Sequence, residues 1–280
     1  MTEKQNIDTP KFPLRGTGGF IYFLHLADNA LILAQRNSEW CAHGPVLEQD
    51  IAITNISLDL LGQARNFYQY AANLYNDFSS ESKKMTDQFI PQPWRSYDRK
   101  LNEDDLAFLR EERQYLNLLL CELPKGDWAT TVLRQFFFSA YQQLLFENLQ
   151  KSPDQHLAAI AEKSLKEVTY HLRWSSEWVI RLGDGTEESY QRMKKALVEL
   201  WPFTNEFFTS VVYEKEFISN ENLKEKWLQK IAEIFTEATL NMPETTRMQE
   251  GGKKGKHTEY LGYILTEMQY MQRVYPNLTW

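Results

Sequence analysis

The stretch from 46 to 76 constrains the fold of this chain more than any other. Its apolar side chains recur every three or four residues, which is the spacing of one face of an α-helix. They are Ile53, Ile56, Leu60, Ala64, Phe67, Ala71 and Leu74. The interior of the stretch contains a single glycine, Gly62, and no proline, so it lacks the residues that end a helix. The pattern predicts one long α-helix.

The segment before this stretch predicts an antiparallel partner for it. From 19 to 39, apolar residues again follow helical spacing: Phe20, Phe23, Leu24, Ala27, Leu31 and Ala34. Residues 41–45 include Gly44 and Pro45, which favour a turn. The first two helices are therefore expected to form a hairpin.

A second hairpin is predicted further along the chain. A fourth helix covers 127–151, and a fifth follows to 182, before Gly183 and Gly185. Ser152 is expected to begin a capping box, with Pro153 at the first position of the fifth helix. Asn102 is expected to cap a third helix over 102–122. Three more helices are predicted at 187–209, 221–241 and 257–274.

The predicted fold class is all-α. Residues 77–100 are irregular, and no stretch shows the alternation of a strand. Two long hairpins, 19–76 and 127–182, joined by a crossover, have the connectivity of a ferritin-like four-helix bundle, here with additional helices. Residues 1–17 are expected to be a flexible tail, and 18–280 a single ferritin-like domain.

Composition excludes several classes of protein. The net charge of −7 argues against nucleic acid as a partner. Two cysteines are too few for a disulfide framework. The most apolar run, 20–34, contains His25, Asp28 and Asn29 and is shorter than the roughly 20 residues of a membrane span. We expect no membrane span and no signal peptide, and therefore a cytoplasmic protein that does not enter membranes.

The bundle positions that hold iron in ferritin-like proteins can be checked one by one. The ordinary di-iron bundle carries a Glu on one helix of each hairpin and Glu-x-x-His on the other. Asp28 and Asp59 are expected near one level of the first hairpin, because they stand equally far from its turn. In the second hairpin Glu167 and His171 share one side of a helix.

The remaining ligands of a di-iron centre are absent from the sequence. Gly62 and Gln63 stand where the first hairpin needs a histidine, and Arg134 and Gln135 stand near the level of Glu167. We therefore predict vestigial metal-site positions at Asp28, Asp59, Glu167 and His171, no bound metal and no catalytic residue. Polar side chains that are buried without a metal need other partners. One polar network is therefore expected to join Asp28, Asp59, Arg134 and His171.

Five motifs of the sequence are informative when taken together. They are Glu39-Trp40-Cys41-x-His43, Leu58-Asp59-Leu60-Leu61-Gly62-Gln63-Ala64-Arg65-Asn66, the stretch 111–120, Gly251-Gly252-Lys253-Lys254-Gly255-x-His257-Thr258-Glu259 and Glu267-Met268-Gln269-Tyr270-x-Gln272-Arg273. These motifs resemble the C subunit of phenylacetyl-CoA 1,2-epoxidase (ring epoxygenase), the PaaC family. The similarity covers about 17–280.

The resemblance implies a role in a multicomponent oxygenase. In this family a homologous A subunit holds the di-iron centre, and the C subunit lacks metal and pairs with A. A separate reductase with FAD and an iron–sulfur cluster delivers electrons from NADPH. The complex epoxidises the ring of phenylacetyl-CoA in aerobic phenylacetate degradation. This chain would then contain no cofactor of its own.

Two segments are candidates for ligand or partner contacts. The resemblance implies that Gln114, Tyr115, Leu116 and Asn117 approach the CoA substrate, and it places a second contact region near 211–218, where the sequence departs from the family pattern. The basic loop with Lys253, Lys254 and Lys256 lacks the spacing of a phosphate-binding loop. It suits an anion, an acidic partner surface or simple solvation.

We therefore expect a non-catalytic structural subunit that stabilises the catalytic A subunit and contributes to the CoA channel. Two alternatives remain open at this point. One is an active di-iron monooxygenase or oxidase that uses Asp28, Asp59, Glu167 and His171 as atypical ligands. The other is a homo-oligomeric helical scaffold.

Overall fold

The computed structural model describes residues 16–217, 222–244 and 247–278. Within these residues the chain is helical and contains no strand, which confirms the all-α prediction. The predicted tail, 1–17, lies outside the described residues except for Gly16 and Thr17, where the first helix begins. The α-helices are α1 (Thr17–Ser38), α2 (Leu47–Asn76), α3 (Ser80–Thr86), α4 (Glu103–Phe108), α5 (Leu119–Glu122), α6 (Trp128–Leu149), α7 (Gln155–Gly183), α8 (Glu187–Leu200), α9 (Leu223–Glu237), α10 (Glu259–Met268) and α11 (Tyr270–Val274).

Two long hairpins form the centre of the molecule. α1 packs along α2, α6 packs along α7, and α2 contacts α7. Helix α1 is long and apolar enough to cross a membrane, but 94% of its most apolar window is buried inside the protein. It is the central helix of the core, with Phe20, Phe23, Leu24, Ala27 and Leu31 enclosed by the other helices.

The prediction of a single third helix over 102–122 is wrong. Residues 102–122 form only two short helices, α4 and α5, with a 3-10 turn at Glu112–Gln114 and extended backbone at Tyr115 and Leu118 between them. The cap at Asn102 is confirmed, because its side chain accepts a hydrogen bond from the Asp105 N–H. The break has a tertiary cause, since side chains of α1 bind the backbone of the extended part, as described below.

The predicted cap of the fifth helix is also wrong by two residues. The carboxylate of Asp154, and not the hydroxyl of Ser152, accepts hydrogen bonds from the first N–H groups of α7, those of His156 and Leu157. A carboxylate is favoured there because it also meets the positive end of the helix dipole. Ser152 instead accepts a hydrogen bond from the Asp154 N–H at 3.2 Å.

The remaining helices follow the sequence pattern with local breaks. The predicted helix 187–209 ends at Leu200 and continues as a 3-10 helix, Trp201–Phe208, around Pro202. The predicted helix 257–274 is divided at Gln269 into α10 and α11. The irregular stretch 77–100 contains α3 and two 3-10 turns.

Candidate functional site

Three polar side chains of α1 bind the backbone of a distant segment, residues 115–118, which we call the anchored segment. The Asp28 carboxylate accepts from the Leu116 N–H at 2.7 Å, and Asn29 accepts from the Leu118 N–H at 2.7 Å. His25 Nδ1 lies 2.7 Å from the Leu116 carbonyl oxygen. These bonds use donors and acceptors that a helix would need for itself, so the segment stays extended.

Asp28 is also the centre of a buried ion pair. The guanidinium of Arg110 contacts both of its carboxylate oxygens, and the Tyr68 hydroxyl donates to one of them at 2.5 Å. Arg110 and Asp28 are fully buried. The expected alignment of Asp28 with Asp59 is wrong, because Tyr68 lies nine residues beyond Asp59, about 13 Å further along α2.

Asp59 and Glu167 belong to two separate links between α2 and α7. His171 Nε2 lies 2.9 Å from an Asp59 carboxylate oxygen. One turn away, the Gln63 amide donates to Glu167 at 3.0 Å. The structure thus brings Asp59 and His171 together and leaves Asp28 apart from them.

The expected single network of Asp28, Asp59, Arg134 and His171 is therefore wrong. Arg134 donates instead to the backbone carbonyls of Leu123 and Pro124, at 2.7 and 2.9 Å. Burial, with a further contribution from the nearby Arg36, lowers the pKa of Arg134 to about 10. Arg134 therefore makes its contacts apart from both Asp28 and the pair of Asp59 and His171.

The donor set does not fit an ordinary di-iron centre. The guanidinium of Arg110 forms an ion pair with Asp28. The side-chain amide of Gln63 binds Glu167, at a position where a di-iron centre requires a metal-binding side chain. No group of three or more His, Cys, Asp or Glu side chains in the described part of the chain could hold a metal ion.

The glycine loop, residues 251–257, packs directly against the backbone around the anchored segment. A Cβ at position 252 would lie 2.1 Å from the Asn117 carbonyl oxygen, and a Cβ at position 255 would lie 2.5 Å from that of Arg113. Gly255 has a φ of +68°, which favours glycine. These two glycines therefore permit a close backbone approach, and this explains the motif without a bound phosphate.

Two buried carboxylates tie the glycine loop in place. Glu206 accepts from the Leu119 N–H at 2.8 Å and from the Gly251 N–H at 2.7 Å. Glu122 lies 2.8 Å from His257 Nδ1 and accepts from the Thr258 N–H. Burial raises the pKa of Glu206, and the two backbone N–H groups partly oppose that rise.

His257 is held between two acceptors. Its Nδ1 lies 2.8 Å from Glu122, and its Nε2 lies 2.9 Å from the Tyr115 carbonyl oxygen. Burial alone lowers the pKa of His257, but the hydrogen bond to Glu122 and its negative charge outweigh burial, so the pKa is raised above its ordinary value. Both ring nitrogens donate when the imidazole is protonated, which fits these two acceptors.

The anchored segment and the glycine loop form two walls of a cavity of about 700 Å³, which we call the basic pocket. Its other walls come from α1, the stretch 88–89 and the stretch 210–215. The lining is mostly apolar, and it includes Ile21, Phe89, Leu116, Val211 and Tyr213. The exposed cations Arg113, Lys215 and Lys254 also line it.

The predicted contact residues divide between this pocket and the core. Gln114 and Leu116 line the pocket, but Tyr115 and Asn117 are buried. The Gln114 side-chain amide donates to the carbonyls of Gln88 and Ile90. The Tyr115 hydroxyl donates to Ala107 at 2.6 Å, and the Asn117 amide donates to Glu122 at 2.8 Å.

The three loop lysines also have different surroundings. Lys253 is buried, and its ammonium lies 2.9 Å from a Glu214 carboxylate oxygen. Lys254 is exposed at the basic pocket, whereas Lys256 lines a smaller adjoining cavity of about 120 Å³. Arg113 and Lys215 were missed by sequence reasoning, although Arg113 adjoins the predicted segment and Lys215 lies within 211–218.

The buried pair of Lys253 and Glu214 extends to His25 behind the basic pocket. Glu214 lies 3.3 Å from His25 Nε2. Burial, together with the positive charge of Lys253, lowers the pKa of His25 to about 3. His25 is therefore neutral near pH 7, with its proton on Nδ1 toward the Leu116 carbonyl.

Two packed helical hairpins, with no strand in the residues that the structure describes, define an all-α protein of the ferritin-like class. A sequence profile of the family described as "Phenylacetic acid catabolic protein" matches residues 17–280, and the chain belongs to that family. The chain is also similar to the C subunit of 1,2-phenylacetyl-CoA epoxidase from Escherichia coli (strain K12). The two are 45% identical over 265 residues, which cover 92% of this chain and 98% of that protein. The predicted resemblance is confirmed.

Proposed function

We propose that this chain is a non-catalytic structural subunit of a phenylacetyl-CoA 1,2-epoxidase complex of aerobic phenylacetate degradation. It pairs with a di-iron A subunit, stabilises it and contributes one wall of the CoA-substrate channel. The likeness to the C subunit of a bacterial epoxidase supports membership of such a complex. The complex is cytoplasmic in this proposal, as the substrate and the reductase require.

The proposal of a non-catalytic role rests on one observation, which is that other groups of the protein bind the carboxylates of the bundle helices. Asp28 is bound by Arg110, Tyr68 and the Leu116 N–H, so its oxygens already serve the fold. Glu167 is bound by the Gln63 amide. A carboxylate paired with a guanidinium and an N–H is a poor metal ligand, because the metal would have to displace its partners and leave a buried charge unpaired.

The basic pocket supports a contribution to the substrate channel. CoA thioesters combine phosphates with an apolar acyl group. The pocket likewise combines an apolar lining with three exposed cations, Arg113, Lys215 and Lys254. Long-range attraction of the phosphates to these cations would guide the substrate toward the A subunit.

The cofactors of the reaction belong to other chains in this proposal. The A subunit holds the two irons, and a separate reductase holds FAD and an iron–sulfur cluster. This chain contributes buried surface and charge, and none of its residues exchanges electrons or protons with the substrate.

Two measurements test the proposal. The first is the iron content and near-ultraviolet absorption of the purified chain after expression with added iron, for which we expect far less than one iron per chain and no oxygen-bridge band. The second is NADPH-dependent epoxidation of phenylacetyl-CoA by the A-subunit homologue and the reductase, with and without this chain. We expect activity to depend on the chain. Two irons per chain with turnover in the absence of the A subunit would establish the di-iron enzyme instead.

A further inference from the structure

Helix α2 has an apolar side that points away from the core. Leu47 is 72% exposed, Ile51 is 52% exposed and Leu58 is 59% exposed. Together with Gly62 they repeat at helical spacing on the side opposite the buried residues of α2. We call these four residues the α2 outer face. Exposed apolar residues grouped on one side of a helix are typical of an interaction site.

The C-terminal half of the same side of α2 is already covered. Glu103, at the start of α4, accepts from the Gln69 amide at 2.7 Å and lies 3.4 Å from Arg65. In the described part of the chain, nothing comparable covers the N-terminal half. A Cβ at position 62 would meet no described atom within 4 Å, so another helix can approach closely at Gly62.

We infer that the α2 outer face binds a helix of a different subunit, with an apolar stripe bordered by Lys or Arg. The inference rests on the proposed function, in which that subunit is the A-subunit homologue. We infer a basic partner because this part of α2 is acidic. Between 47 and 64 the helix contains Glu48, Asp50 and Asp59 but no Lys or Arg. Asp50 accepts from the Gly44 N–H at 2.9 Å and Asp59 lies 2.9 Å from His171 Nε2, but no cationic Lys or Arg of this stretch offsets the three carboxylates.

A second copy of this chain fits the α2 outer face poorly. Glu48 and Asp59 are 11 residues apart, which is about three turns, so they border the face on the same flank. A two-fold pairing that sets Ile51 against Leu58 of the other copy also brings Glu48 close to Asp59 of that copy. Like charges opposed at an interface disfavour association. A partner with basic residues at this flank turns the repulsion into attraction.

The test is co-purification of the full-length chain with the A-subunit homologue from the same genome. The variants Ile51→Glu, Leu58→Glu and Gly62→Met each place a charge or bulk on the α2 outer face. Val198→Glu is the matched control, because Val198 is 74% exposed on α8. All four positions face solvent in the isolated chain, and thermal unfolding of each variant checks that it folds. We expect the three face variants to weaken pairing by about tenfold or more and the control to pair normally.

Each of the other possible results of this experiment leads to a different conclusion. If the wild-type chain pairs with the A subunit and the face variants pair equally well, the inference is wrong while the proposed function stands. If the wild-type chain does not pair at all, both fail. If the isolated chain forms dimers that Leu58→Glu dissociates, the face binds a second copy, and the inference of a basic partner helix is wrong.

Discussion

The carboxylate of Asp28 and the guanidinium of Arg110 form a fully buried ion pair between α1 and the segment that follows α4. The pair joins residues that are far apart in the chain, and it places a cation at a bundle carboxylate. Because the same carboxylate binds the Leu116 N–H, it also holds the anchored segment that forms one wall of the basic pocket.

Asp28→Asn is expected to destabilise the chain by about 3–5 kcal/mol, because it leaves the Arg110 charge buried and unpaired. Urea unfolding followed by circular dichroism measures the change. The double variant Asp28→Asn/Arg110→Met removes the uncompensated charge and should recover part of the loss. Equal stability of Asp28→Asn and the wild type would contradict a structural role for the pair.

Two glycine substitutions are expected to have opposite effects on stability. Gly252→Ala places a Cβ 2.1 Å from the Asn117 oxygen and should cost about 1–3 kcal/mol through overpacking. Gly62→Ala adds a Cβ in open space on a helix and should stabilise by about 0.5–1 kcal/mol. Thermal unfolding measures both. Hydrogen exchange should show faster exchange at the Leu116 and Leu118 amides in Gly252→Ala only.

His257 is expected to make stability depend on pH above neutrality. Its pKa is raised in the folded state, so its contribution is complete below the unfolded pKa of about 6.5 and is lost as the pH rises through the folded pKa. The free energy of unfolding should therefore differ more between wild type and His257→Gln at about pH 6 than at about pH 9. A difference that stays constant with pH would show that His257 is not charged in the folded protein.

His25 is expected to behave in the opposite way. Its folded pKa is about 3, so the unfolded chain binds a proton below about pH 6.5 that the folded chain does not, and His25 lowers stability as the pH falls from 6.5 toward 3. Nitrogen-15 NMR of the imidazole should show a neutral ring with a proton on Nδ1 at about pH 5. The spectrum of His25→Gln assigns the signal. A charged ring at that pH would refute the assignment.

The exposed cations of the basic pocket are expected to affect substrate capture in the reconstituted complex. Arg113→Gln/Lys254→Gln should raise the KM for phenylacetyl-CoA by roughly threefold to tenfold at low salt, with kcat unchanged, and the difference should shrink as salt screens the charges. Lys194→Gln/Lys195→Gln on α8 removes the same charge elsewhere and serves as the control. An equal rise in KM for both double variants would mean that net charge alone is responsible.

The sequence by itself determined the long helices, the hairpins and the family. Apolar spacing and the absence of proline fix α2 and α7 because these are local properties of the chain. The motifs around Asp59 and the glycine loop were enough to indicate the family. The missing histidine at Gln63 was likewise visible as a residue type at a known spacing.

Only the tertiary structure decided which partners the polar residues find. Asp28 was expected beside Asp59 and is instead bound by Arg110, and the predicted helix over 102–122 is broken because α1 binds its backbone. The basic pocket combines residues from five stretches of the chain. Such contacts depend on distances between residues up to hundreds of positions apart, and helical periodicity, which reports only the neighbours within a few turns, does not contain them.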